Sequence, residues 1–126
     1  MKIKDLVSLL DCHVLTPSIY NEQRDINYAF CADLMSDALM ILNTIKTDGI
    51  LENSVLITGL TTNQSIRTAE MLDVEVILIV RGKMPASKVI FLAEQSGVCL
   101  IQTNQTMFNT AGLLYQKGIK GIIRHE

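Results

Sequence analysis

The stretch Glu75-Val-Ile-Leu-Ile-Val80, followed by Arg81-Gly-Lys-Met-Pro85 and then by Ala86 to Ser96, decides the fold. An apolar run of this length without polar alternation reads as a strand buried on both faces. The glycine- and proline-bearing segment after it is a turn. Apolar residues at helical spacing in Ala86 to Ser96, stopped by Gly97, then give a helix.

The same rhythm extends in both directions. Upstream, Ser54 to Thr58 is a strand, Gly59 to Asn63 a turn and Gln64 to Leu72 a helix. Downstream, Val98 to Ile101 is a strand, Gln102 to Asn104 a turn, and Gln105 to Gln116 a helix stopped by Gly118. Before this core, Ile26 to Cys31 reads as a strand and Asp33 as the cap of a helix with Leu34, Ala38, Ile41, Leu42 and Ile45 on one face, ended near Gly49. Lys2 to Leu10 is a short amphipathic helix, Cys12 to Leu15 a brief apolar stretch, and the segment from Thr16-Pro17 to Asp25 a loop. Gly121 to Arg124 is read as a last strand. Buried strands alternating with helices imply parallel βαβ crossovers, so the expected class is α/β: a three-layer αβα sandwich on a mostly parallel sheet.

Size and composition agree. The chain has 126 residues, enough for a single domain spanning residues 1–126, and is 48% hydrophobic but only 5% aromatic, with no Trp. Its core must be aliphatic, and Met35, Met40, Met71 and Met107 are expected to fill it. A net charge of −2, with cations scattered from Lys2 to Arg124, excludes the basic stripe that nucleic acid requires. The longest apolar run is too short to span a bilayer, so a cytoplasmic protein without membrane contact is expected. Cys12, Cys31 and Cys99 form no C-x-x-C and read as buried structural thiols. His13 and His125 converge on no triad. A metal on Cys12, His13 and Cys31 is disfavoured, because neighbours on a strand face opposite ways. No cofactor and no catalytic residue is expected.

Parallel sheets bind ligands beyond the carboxyl ends of their strands, where helix N-termini present unpaired N–H groups. That rule selects Asp33 and Ser36 after the first strand; Gly59, Thr61, Thr62, Asn63 and Gln64 after the second; Arg81, Gly82 and Lys83 after the third; and Thr103, Asn104 and Thr106 after the fourth. From these, Gly59, Thr61, Thr62, Asn63, Arg81, Gly82, Lys83, Thr103 and Asn104 are the expected ligand-binding set, suited to a phosphate or small anion. The plainer alternative is that Asp33, Asn63 and Asn104 cap helices while the threonines fill turns. Thr58-Gly-Leu-Thr-Thr62 fits neither the dinucleotide nor the phosphate-loop glycine motif.

From about Ile57 to Tyr115 the chain resembles the DRTGG domain, which occurs beside CBS domains in some pyrophosphatases, in phosphotransacetylases and in HPr kinase-like proteins. The matching stretches are Leu56-Ile-Thr-Gly59, Val76 to Pro85, Ala93 to Ile101 and Thr103 to Ala111, with Cys31 to Ala38 similar to stand-alone members. The name motif is altered: Thr61-Thr62 stands where the family has Asp-Arg, and Val80-Arg81-Gly82 where it has Thr-Gly-Gly, so only Gly82 carries over. The resemblance implies a three-layer α/β domain without catalysis of its own, a regulatory role and pairing as a homodimer. Three functions stay open: a regulatory or signalling module for a small anionic or nucleotide ligand or a protein partner, a purely structural dimerisation domain, and an enzyme acting on a phosphorylated metabolite.

Overall fold

The structure is a computed structural model and describes residues 1–43 and 53–122. Helix α1 (Ile3–Leu9) leads through β1 (His13–Val14) and a short 3-10 turn (Pro17–Ile19) to β2 (Tyr28–Cys31). Then come α2 (Met35–Asn43), β3 (Ser54–Thr58), α3 (Asn63–Met71), β4 (Val76–Ile79), α4 (Ser87–Ser96), β5 (Cys99–Gln102), α5 (Met107–Gln116) and β6 (Lys120–Gly121). The expectations that Ile45 belongs to the second helix, that Gly49 ends it and that a strand reaches Arg124 lie outside the described residues.

Among the described residues one six-stranded sheet runs β1-β5-β4-β3-β2-β6, parallel throughout except for the antiparallel β1. The two faces are separate cores. Leu56, Ile77, Ile79 and Leu100 point at Met35 and Ala38 of α2, Ile66 and Ala69 of α3, and Val89 and Ala93 of α4. Val55, Ile57, Val76, Leu78 and Ile101 point at Ile3, Leu6 and Leu10 from the first helix and at Leu114 of α5. Alternate strand residues feed opposite layers, which is why both positions of each strand had to be apolar. The three-layer sandwich is therefore as the sequence implies, with three helices on one side and two on the other.

Local chemistry sets the ends of the helices. Thr62, not Asn63, caps α3, its hydroxyl accepting from Ser65 N–H at 3.4 Å, and Asn63 is the first helical residue. Thr106, not Asn104, caps α5 through Asn109 N–H at 3.3 Å. In both cases two good capping residues compete within a few positions, and the threonine sits where its oxygen meets the third amide of the turn. Gly97 ends α4 at φ 74°.

Two further expectations are corrected. Met40 and Met71 are 58% and 68% exposed rather than core filler, whereas Met35 is buried. Both sit on the outer faces of helices whose inner faces are already filled. Cys31 is exposed while Cys99 is buried and Cys12 lies between. The cause is β2's position: its outer neighbour β6 is only two residues long, so β2 is nearly an edge strand.

The thiols thus rank. Burial first, and the Asp11 charge second, push Cys12 from 9.0 up to about 12. Cys31, though exposed as a residue, has a partly desolvated thiol raised by burial and then by the Asp33 carboxylate. A thiol reagent at pH 8 is expected to label Cys31 first, more slowly than a free thiol, and Cys99 and Cys12 only after denaturation. The same shift has a stability consequence. The raised folded pKa of Cys12 stabilises the fold fully below the unfolded thiol's value, and that contribution is lost as pH climbs from about 9 toward about 12. Denaturant midpoints measured across that window should fall, and a Cys12→Ala variant should fall less.

Candidate functional site at the carboxyl edge of the sheet

The turns after β2, β3, β4 and β5 lie side by side because those four strands are neighbours in the sheet. The connections after β2, β3 and β4 turn to one face and α5 turns to the other, so the strand-order reversal falls between β4 and β5. Ligands of parallel sheets sit at such reversals.

The turns are tied together residue by residue. Asp33 does not stop at its own helix: its Oδ1 accepts from Gly59 N–H at 2.8 Å and from the Thr58 hydroxyl at 3.5 Å. Thr58 Oγ1 in turn accepts from Leu60 N–H at 3.1 Å. After β4, Arg81 and Gly82 both take positive φ, 64° and 66°. Their amides donate to the Gln105 carbonyl at 2.8 Å and the Thr103 carbonyl at 2.9 Å, which closes the β4–β5 crevice with backbone.

The left-handed turn determines where the arginine goes. Its guanidinium lies over Gly59, and a Cβ built on that glycine would overlap Nη2. Gly82 is favoured by its φ of 66°, and a Cβ there would stand 2.8 Å from Asn104 Oδ1, which the exposed Asn104 side chain would have to turn away to admit. The line Asp33, Gly59, Arg81, Gly82, Asn104 therefore crosses four strand ends in contact order. Among the described residues Arg81 has no ion pair or side-chain hydrogen bond. A left-handed non-glycine costs about 1–2 kcal/mol, and here it carries an exposed, unpaired cation.

The other expected residues divide. Thr61 is half-buried, while Asn63 and Lys83 are exposed beside the same turns. The Thr62 hydroxyl is engaged as a cap. Thr103 is buried and faces away: its hydroxyl donates to the Leu10 carbonyl at 2.8 Å and accepts from Gln105 N–H at 3.2 Å. Gln102, read from the sequence as the start of a turn, is instead the buried last residue of β5, donating from Nε2 to the Lys83 carbonyl at 3.1 Å. A polar residue ending an apolar run was the available signal. Among the described residues no group of three or more His, Cys, Asp or Glu could hold a metal, and no helix is long and apolar enough to cross a membrane. The arrangement offers two cations, hydroxyls and amides, together with the Asp33 carboxylate held by the Gly59 amide and the Thr58 hydroxyl.

These features define an α/β sandwich whose neighbouring strand ends are tied together along one edge. A scan against protein-family profiles and a sequence search of the curated proteins find no match. Among solved structures the chain is similar to the CBS and DRTGG domains of the regulatory region of a Clostridium perfringens pyrophosphatase, complexed with its activator diadenosine tetraphosphate. The TM-score is 0.62 at 17% identity, covering 91% of this chain and 46% of that one. The fold is thus DRTGG-like, as the sequence resemblance implies, and the chain spans less than half of that regulatory region.

Proposed function

We propose that the chain is a non-catalytic regulatory domain that binds a small phosphorylated ligand at the edge formed by Gly59, Thr61, Asn63, Arg81 and Lys83. The observation that carries this reading is the unpaired Arg81 guanidinium, fixed over Gly59 by a left-handed turn. A guanidinium with no carboxylate partner grips phosphate with two parallel hydrogen bonds. The regulatory part is supported by the likeness to a regulatory region that is complexed with a dinucleoside polyphosphate. Residues 1–126 as one DRTGG-like domain acting as a homodimer in the cytoplasm belong to the same proposal.

A thermal-shift series with inorganic pyrophosphate, AMP and diadenosine tetraphosphate tests it. A ligand at 100 times its Kd adds about 2.7 kcal/mol, on the order of 10 °C for a domain this size. A flat series would leave a structural dimerisation domain as the better reading, and turnover of any of the three would make it an enzyme. Gly59→Ala should separate site from scaffold. The new methyl displaces only the far end of a flexible side chain, so stability changes little. The displaced guanidinium should weaken pyrophosphate binding several-fold in a direct titration.

A further inference from the structure

Gln102 is 3% exposed, a primary amide at the sheet end where its neighbour Ile79 is aliphatic. Its Nε2 is used on the Lys83 carbonyl, but its Oε1, sealed with it, has no partner among the described residues. Native structures keep few such acceptors, and each calls for a reason. Register shows what stands beside it. Gln102 pairs directly with Ile79 of β4 and with His13 of β1. Paired residues of neighbouring strands share a face, and Ile79 belongs to the core beneath α2, α3 and α4. The exposed imidazole of His13 is therefore on the same face and at the same level as the orphaned acceptor.

We infer that Gln102 and His13 form a second subsite on this edge, which takes the amino-substituted edge of a nucleobase such as adenine. An unpaired Oε1 asks for an N–H donor, and the adjoining imidazole supplies an N–H of its own. Adenine presents that complement, an exocyclic amine beside a ring nitrogen acceptor. On the same N7 edge hypoxanthine carries a carbonyl oxygen in place of the amine and would leave Oε1 facing a second acceptor. Oε1 is covered, so the base enters as the loop between Arg81 and Ala86 lifts. That loop is hung on the Arg81 and Gly82 amides and on the Gln102–Lys83 bond, and it starts at the strained left-handed Arg81. Only the placing of a phosphate at Arg81, one turn away, rests on the function proposed above. The base subsite stands on its own observations.

Calorimetric titration of the whole chain with adenosine, inosine and inorganic pyrophosphate tests the two separately. The wild type is expected to bind adenosine at least tenfold more tightly than inosine. Gln102→Leu should erase that preference and keep pyrophosphate binding, whereas Arg81→Ala should do the reverse. His13→Ala, at an exposed position, should weaken adenosine several-fold with an unchanged circular dichroism spectrum, which covers the case of a misfolded Gln102→Leu. Equal affinity for adenosine and inosine, no adenosine binding at millimolar concentration, or full adenosine affinity in Gln102→Leu and His13→Ala overturns the subsite and leaves Oε1 to an internal water. Failure of pyrophosphate alone removes the anion reading and does not alter the adenosine comparison.

Discussion

Arg81→Gly is expected to cost roughly 10- to 150-fold in affinity for pyrophosphate or AMP for each hydrogen bond it removes, while leaving the fold as stable as before. The first half follows from charge: hydrogen bonds from an ionised group contribute about 1.5–3 kcal/mol each, and every 1.4 kcal/mol is about tenfold. The second half follows from the backbone. At φ 64° glycine is unstrained where arginine is not, which favours the variant by about 1–2 kcal/mol. Against this, glycine gives the unfolded chain more freedom, about 0.5–1 kcal/mol. The two nearly cancel. Affinity by titration and stability by urea denaturation should therefore part company at this one residue. A variant that binds pyrophosphate like the wild type removes Arg81 from the site, and one that unfolds at much lower urea would make Arg81 a structural residue instead.

Leu78→Ala should have the largest effect on stability, about 2–5 kcal/mol. Leu78 is fully buried on β4, between two parallel neighbours and beneath the layer of α1 and α5. Domains of this size have about 5–15 kcal/mol in total, so the variant should be close to unfolding at 37 °C. The two directly paired neighbours, Ile57 and Ile101, come from different strands and cannot both move inward to fill the space. A denaturation midpoint within about 0.5 kcal/mol of wild type would mean that this face of the sheet is less tightly packed than its burial implies.

The central sheet was legible because the inner positions of its middle strands are apolar without alternation, a pattern that burial on both faces explains. What escaped the sequence has physical causes. The strand His13–Val14 is two residues long and is held by a partner almost ninety positions later, so no local periodicity announces it. Cys31 sits in an apolar segment like the others, and its exposure depends on the shortness of β6, which is a fact about topology. At the site, the position of Arg81 could be read from the strand–turn–helix order. Its orientation over Gly59 could not, because that depends on a non-glycine residue adopting a glycine-like φ. The reach of Asp33 to Gly59 was likewise hidden, since a carboxylate ahead of a helix looks like a cap whichever amide it binds.

The tie between the two ends of the chain has a consequence for the order in which the molecule can be made. The Leu10 carbonyl is held by Thr103, the Thr16 hydroxyl accepts from the Leu100 amide, and His13–Val14 pairs with Ile101 and Gln102. Every one of these partners is synthesised 84 to 93 residues after the group it holds. On the ribosome, at roughly 5–20 residues per second, the first sixteen residues must wait several seconds with Ile3, Leu6 and Leu10 uncovered. During that interval this segment is one on which a chaperone, a protease or another nascent chain can act, although in the finished molecule its Ile3, Leu6 and Leu10 are fully buried.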